Sequence, residues 1–356
     1  MTCAIVGDGL AGLVAYTTLR HGGLVPDEIA VFGTNPDPAA AWRVRAAAIR
    51  QRRMRSESEG HVAATSFPGL AVRAAARRPW SLVETLFDRY HPTVAEFLAH
   101  VERVRRESGW DESFRSRRVE RVAPAAGGFE LDGEPFPHVM LAPGHPGLNV
   151  PEELAGRAVH AYEPHEYAAE VCVVGAGMAA ATEWLNALAA GSTVISVRRR
   201  EPARRPLNVE RHYFTKRGLD GFRRKPPEQR VELLRRFLEP SYPPGRAWDA
   251  PLADPRFRVE ARVNGAEQVI CATGFKRGFA HDSLLRRLVE ETGIETAASW
   301  IVLGPDSTVP QLTDGTRTLV LAGAPAQWAF PAADTLVGMK VAARGFLRRV
   351  RRCRSR

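Results

Sequence analysis

Residues 3–12 read CAIVGDGLAG and residues 171–180 read VCVVGAGMAA. Each opens with four apolar residues, as a buried parallel strand would, then turns on glycine and continues into Ala-rich sequence that reads as a helix. The first turn spells Gly-x-Gly-x-x-Gly at Gly7, Gly9 and Gly12; the second has Gly175, Gly177 and Ala180, a small residue accepted in the third place. The first two glycines let the chain turn tightly and let backbone approach a pyrophosphate. The third position lets helix pack on strand, and the helix N-terminus offers partial positive charge to the phosphates. One such motif arises easily by chance in an Ala/Gly-rich chain. Two, 168 residues apart and each inside strand–turn–helix, do not.

The strand after each turn carries the next signal. In such units an Asp or Glu about 20 residues on binds a ribose hydroxyl. Counting 21 from Gly12 gives Gly33, at the end of a strand expected over 28–32. The ribose contact then falls to a backbone group, a water or a neighbour. The six arginines of WRVRAAAIRQRRMR (42–55) could meet pyrophosphate or ribose. An alternative is that the first turn holds an NADP-like phosphate. The second unit ends SVRRR, with Arg198 18 residues after Ala180. Arg198 and Arg199 there favour the 2′-phosphate of NADP, because the guanidinium fork fits phosphate; a solvated arginine edge is the plainer alternative.

Bulk properties narrow the classes. The 356 residues allow two domains, and 44% hydrophobic content supports proper cores. The net charge of +10 is local: residues 198–246 carry +9 and 344–356 carry +7, leaving −6 elsewhere. No helix-turn-helix, RNA-binding aromatic signature or zinc pattern accompanies these patches, so no specific nucleic-acid partner is expected. RGFLRRVRRCRSR (344–356) is an amphipathic basic helix end, either solvated or touching acidic lipid or nucleic acid. Cys3, Cys172, Cys271 and Cys353 form no C-x-x-C pair, which suits a reducing cytoplasm. No 18-residue apolar stretch and no signal-peptide pattern is present, so no transmembrane segment is expected. The histidines show no metal spacing, and no metal is expected.

Helices are expected over 10–21, in an insertion at about 80–110, and over 334–350. Residues 117–142 read as antiparallel strands with turns at Gly127-Gly128 and Asp132-Gly133. The Arg/Pro-rich stretch 200–250 reads as an insertion, and its RHYFTKRGLDGFRRK suggests choice of an anionic or aromatic substrate, or a charged lid. The implied fold class is α/β, with two Rossmann-like dinucleotide-binding domains, three-layer ββα type. Residues 1–160 and 306–356 would form the FAD domain, with an NADPH domain inserted over 161–305.

Further pieces resemble class B flavin monooxygenases, the group of flavin-containing, Baeyer–Villiger and N-hydroxylating enzymes. Trp42 lies nine residues after Gly33, in AAAW, where that family has a Trp after its ribose-binding Glu. LAGRAVHAYEP (154–164) matches the family's Phe-x-Gly-x-x-x-His at Gly156 and His160 but has Leu154 for Phe. ATGF (272–275) matches the Ala-Thr-Gly turn, APGHPG (142–147) is its degenerate first copy, and GAPAQWAFP (323–331) is similar to the stretch beside the flavin. The resemblance implies FAD at Gly7, Gly9, Gly12, Trp42, Arg43, Met54, Gly144, Gly323, Gln327 and Phe330. It implies NADPH at Gly175, Gly177, Ala180, Arg198, Arg199, Thr273 and Gly274. The implied reaction uses dioxygen and passes oxygen from a C4a-peroxyflavin to a small-molecule substrate. An oligomer is compatible with these features. Where the flavin-containing branch has Asn twelve residues before Phe-Pro, this chain has Ser56; Ser56 and Arg55 are the candidate catalytic residues. The alternatives are an NADPH oxidase or reductase that never oxygenates, and a non-catalytic FAD/NADP-binding protein.

Overall fold

The computed structural model describes residues 2–55, 80, 83–84, 90–205 and 208–354. The first glycine turn joins β1 (Cys3–Val6) to α1 (Leu10–His21), and β2 (Ile29–Gly33) follows. Then come α2 (Ala40–Ala48), α3 (Val94–Ser108), β3 (Phe114–Ser116), β4 (Val122–Ala125), β5 (Gly128–Leu131), β6 (Glu134–Phe136) and β7 (His138–Leu141). Helix α3 begins at a capping box: the Thr93 hydroxyl accepts from the Glu96 N–H, and Glu96 accepts from the Thr93 N–H at 2.8 Å. Within the expected 80–110 insertion, residues 81–82 and 85–89 lie outside the described residues.

A second run contains β8 (Val159–His160), β9 (Glu170–Val174), α4 (Met178–Ala189) and β10 (Thr193–Val197). After an arm bearing α5 (Lys216–Arg223) and α6 (Pro227–Phe237), it resumes with β11 (Phe257–Glu260) and β12 (Gln268–Cys271). The chain closes with α7 (Ser283–Thr292), β13 (Thr318–Leu321) and α8 (Leu336–Arg354).

Two parallel five-stranded sheets result, ordered β13-β7-β1-β2-β3 and β11-β10-β9-β12-β8. Side-chain alternation then makes three layers in the first. Ala4, Val6 and Phe32 face Phe129, Leu131 and Phe136 of the antiparallel meander β4–β5–β6. Cys3, Ile5, Ile29 and Val31 face α1, Phe97 of α3, and Phe346 and Val350 of α8. The architecture is α/β with two dinucleotide-binding units, and the first is of ββα type. Not all of 117–142 is antiparallel, however. β7 is a parallel strand inside the main sheet, and its HVML is buried at every residue because both faces are covered.

The arm does not hang free as a charged lid. Val209, Leu219, Phe222, Leu234 and Phe237 pack in the same apolar cluster as Trp328 and Phe330 of the first domain. Phe214 stands edge-on to Phe330 at 5.8 Å. Arg230 lies 3.9 Å over the Trp328 ring, donates to its carbonyl, and burial pushes its guanidinium down to about 10. Arg223 donates to the carbonyls of Pro305 (2.6 Å) and Ala329 (3.2 Å). Much of the aromatic–cation alternation therefore serves docking, which leaves little aromatic surface for selecting an aromatic substrate. Leu284, Leu285, Leu288, Ile294, Trp300 and Ile301 join this cluster too.

The basic end of α8 spends its apolar side on α1. Phe346 and Val350 are fully buried, and Arg351 donates to the Gly22 carbonyl at 2.6 Å. No described helix is long and apolar enough to cross a membrane.

Candidate dinucleotide-binding sites

The two glycine turns superpose by their hydrogen bonds. The Gly7 N–H donates to Phe32 O at 2.9 Å, and the Gly175 N–H donates to Val197 O at 3.0 Å. Ala142 N–H meets Val6 O at 2.7 Å, and Ala272 N–H meets Val174 O at 2.8 Å. Gly7 (φ 131°) and Gly175 (φ 139°) adopt the same left-handed backbone, and a Cβ on either would strike a carbonyl, of Ala142 or of Ala272. By this correspondence Asp8 matches Ala176, Gly33 matches Arg198, Gly144 matches Gly274, and His145 matches Phe275. Gly9 and Gly177 precede α1 and α4 as N-caps with no side chain over the helix end. Gly12 closes on the Gly7 carbonyl, whereas Ala180 fits its methyl fully buried.

The second turn opens into a cleft of about 870 Å³ lined by Gly175, Ala176, Arg198, Arg199, Arg200 and Thr273. Arg198 has only 8% of its side chain exposed; Nη2 bonds Glu201 at 2.8 Å while Nε and Nη1 are buried without partners. Buried N–H donors lacking acceptors cost free energy, so a ligand oxygen would stabilise them. A dinucleotide carrying a 2′-phosphate fits this donor set and the bare glycine cradle. Arg199 points outward, 91% exposed and 3.9 Å from Glu153. Thr273 and Gly274 sit on the turn after β12, where Asn149 N–H donates to Gly274 O at 2.9 Å.

At the first turn the N-terminus of α1 and the cradle at Gly7 are equally bare. Asp8, inside the turn, reaches to the end of β2: its Oδ2 accepts from the N–H groups of Thr34 (2.6 Å) and Asn35 (2.8 Å). The residues expected around a flavin spread out from there. Gly144 and Gln327 line a shared small cleft, and Gly323 lies beside α1 at Ala11. Trp42 packs on Phe97 at 5.0 Å, and Arg43 is paired with Asp37 at 3.0 Å. Met54 and Phe330 are buried among apolar side chains. Ser56 lies outside the described residues.

Between the two turns, three rings stack in a column: His145, Phe275 and Tyr162, with centroid spacings of 4.2 and 5.1 Å. Arg45 lies 4.8 Å from the Phe275 ring, and Arg55 lies 5.3 Å from that of Trp248. Burial pushes Arg55 below the usual guanidinium range, against the pull of Tyr162 and Glu183. Burial likewise lowers His145, to about 3, with Arg277 and Arg45 adding to the effect. His160, in β8 at the edge of the second sheet, ties the start of that unit to the turn after β12. Its Nδ1 accepts from the Tyr162 N–H at 3.1 Å, which leaves Nε2 to donate to Gly274 O at 3.0 Å. Burial lowers its pKa, against the bond to Gly274 and the charge of Glu163, which favours the neutral ring that these two bonds hold in place.

Sequence reading missed a buried cluster nearby. Glu183 of α4 is fully buried and accepts from Tyr167 OH (2.8 Å), with His165 Nε2 at 3.0 Å. Burial opposes charge on His165 most strongly, but the bond to Glu183, the bond to the Glu163 carbonyl and the Glu183 charge together outweigh it and raise its pKa. The segment HAYEPHEY (160–167) is pinned to α4 by this pair. Only the His–x–Tyr spacing hinted at a shared partner.

An α/β chain with two such units belongs structurally to the dinucleotide-binding class. No family model and no curated protein matches it. Among solved structures, it is similar to the ornithine hydroxylase of Pseudomonas aeruginosa, with 17% identity, 99% of each chain covered and a TM-score of 0.71. An ornithine N-hydroxylase of Kutzneria sp. 744, solved with reduced FAD, NADP+ and L-ornithine, matches at 14% identity, 99% of each chain and 0.71. A flavin-containing monooxygenase of Stenotrophomonas maltophilia matches at 20%, 98% of each chain and 0.62. These likenesses show the fold: this chain has that of the two-domain flavoprotein monooxygenases.

Proposed function

We propose that the chain is a divergent class B flavin monooxygenase, binding FAD at the first turn and NADPH at the second. The observation that carries this is Arg198, buried in the second cleft with two unpartnered donors at the strand end, opposite a first turn that has none. Bound FAD would supply hydride acceptance and dioxygen chemistry, the part no side chain performs. The chain's own residues bind and orient. Arg198 meets the 2′-phosphate and Arg199 adds screened positive charge at the rim of the cleft, while Gly7 and Gly175 bring backbone N–H groups to the two pyrophosphates. Arg45 and Arg55 place positive charge between the domains, where an electron-rich ring or oxygen anion would gain from it. The stacked column of His145, Phe275 and Tyr162 keeps water out of that region. The substrate is a small molecule. The arm's outward cations favour an anionic one, and the absence of a disulfide among the described cysteines suits a reducing cytoplasm.

The absorption spectrum of the purified protein tests the reading first. A flavin band that NADPH bleaches faster than NADH is expected, followed by oxygenated product on admitting air. Protein that stays colourless in excess FAD refutes the proposal. Peroxide released in full stoichiometry with every amine, sulfide and ketone tried refutes oxygenation and leaves a reductase.

A further inference from the structure

Position 33 is where a unit of this kind places its ribose-binding acid, and here the residue is glycine. The structure shows why it must be. A Cβ built on Gly33 would run into Asp8, whose Cβ, Cγ and Oδ2 are its nearest neighbours. Asp8 thus fills the volume that a side chain from position 33 would occupy. Its direction is fixed from β2: Thr34 and Asn35 N–H groups hold Oδ2, and the Thr34 hydroxyl lies 3.4 Å off. Oδ1 has no protein donor among the described residues.

We infer that Asp8, delivered from inside the glycine turn, is the carboxylate that receives the adenosine ribose hydroxyls at the first site and excludes a 2′-phosphate there. This rests on the reading of that turn as an FAD site. A carboxylate offers only acceptors, so it pairs with hydroxyl donors and repels phosphate. The second unit is the mirror case: Ala176 matches Asp8, Arg198 matches Gly33, and the charge at the ribose is reversed. The two positions, exchanged together, therefore set which dinucleotide each turn takes.

The test is equilibrium binding, by flavin fluorescence and calorimetry, of FAD and of FAD lacking both adenosine ribose hydroxyls. Protein stripped of bound nucleotide is used. Wild type should prefer FAD by roughly 10- to 100-fold, the range expected for hydrogen bonds to a charged group. Asp8→Asn should cut that preference to about threefold or less, and the double variant Asp8→Ala/Gly33→Asp, which returns the acid to the strand end, should restore most of it. The double variant also guards against misfolding of the single one, with thermal melts as control. An unchanged preference in Asp8→Asn, or no recovery in a folded double variant, overturns the role of Asp8 and leaves the FAD site intact. Wild type that binds neither flavin overturns both.

Discussion

Gly33 and Arg198 stand at the same place in two copies of one strand–turn–helix–strand unit, yet they present opposite chemistry. In the first copy the strand end is bare and a carboxylate swings over it from Asp8. In the second, the turn holds Ala176 and the strand end carries a buried guanidinium. Everything that grips phosphate through backbone is shared: the left-handed first glycine, the open helix N-terminus, and the hydrogen bond from turn to second strand. On the function proposed above, pyrophosphate recognition is the common part, and the choice of ribose lies in one side chain on each side. A fold that binds two dinucleotides needs no new architecture to tell them apart.

The largest expected effect breaks that asymmetry at its cationic end. Arg198→Gln should lower kcat/KM for NADPH by roughly 10- to 100-fold, the loss of a charge-assisted contact, with NADH changed less than about threefold. Steady-state kinetics with both cofactors decides it; equal losses would place Arg198 in general binding rather than at the 2′-phosphate.

Next comes what the copies share. Gly7→Ala and Gly175→Ala each force a Cβ into left-handed backbone and against a carbonyl. Each should cost about 1–3 kcal/mol in thermal or urea unfolding. Similar losses in the two variants support the equivalence. A neutral result in either shows that the turn relaxes and the likeness is only of sequence.

The third strand separates the copies by titration. His138 pairs with Cys3 and Gln268 with Val171, so they hold matching places. His138 is 2% exposed, and burial lowers its pKa to about 4. With the folded value below the unfolded one, its neutral form is favoured on folding; that stability is full above pH ~6.5 and is lost as pH falls towards 4. His138→Gln, which copies the second unit, should recover about 1–2 kcal/mol of stability at pH 5 relative to wild type, and nothing at pH 8. Melting curves at the two pH values would show it, and equal acid sensitivity in both proteins would rule it out.

What could be read in the sequence divides along the same line. The turns, their strands and helices, and the ATGF and APGHPG pair were legible because backbone demands there admit few residues. Asp8 was not, since the role inferred for it depends on meeting Gly33 across 24 intervening positions. The docking of the arm was hidden for a related reason. Phe222 and Phe237 read as aromatics among cations, and only the fold brings them to Trp328 and Phe330. The parallel placement of β7 escaped because it follows a meander whose turns were read correctly and suggested one more antiparallel strand.

Arg199 gives the smallest expected effect and the finest test of the comparison. It neighbours Arg198 in sequence, lines the same cleft and carries the same charge. Yet its side chain is 91% exposed, and its acidic neighbour Glu153 is at 3.9 Å, 66% exposed. Water and salt screen such a group, and holding it in place costs side-chain entropy, so little of its attraction survives. Arg199→Ala should raise KM for NADPH by about threefold or less, and the difference should vanish in 0.5 M salt, where the Debye length shrinks to about 4 Å. Arg198→Gln, acting on a buried contact, should keep most of its effect in that salt. If the two variants respond alike, burial is not what distinguishes them, and the 2′-phosphate is held by a diffuse arginine edge rather than by one oriented guanidinium.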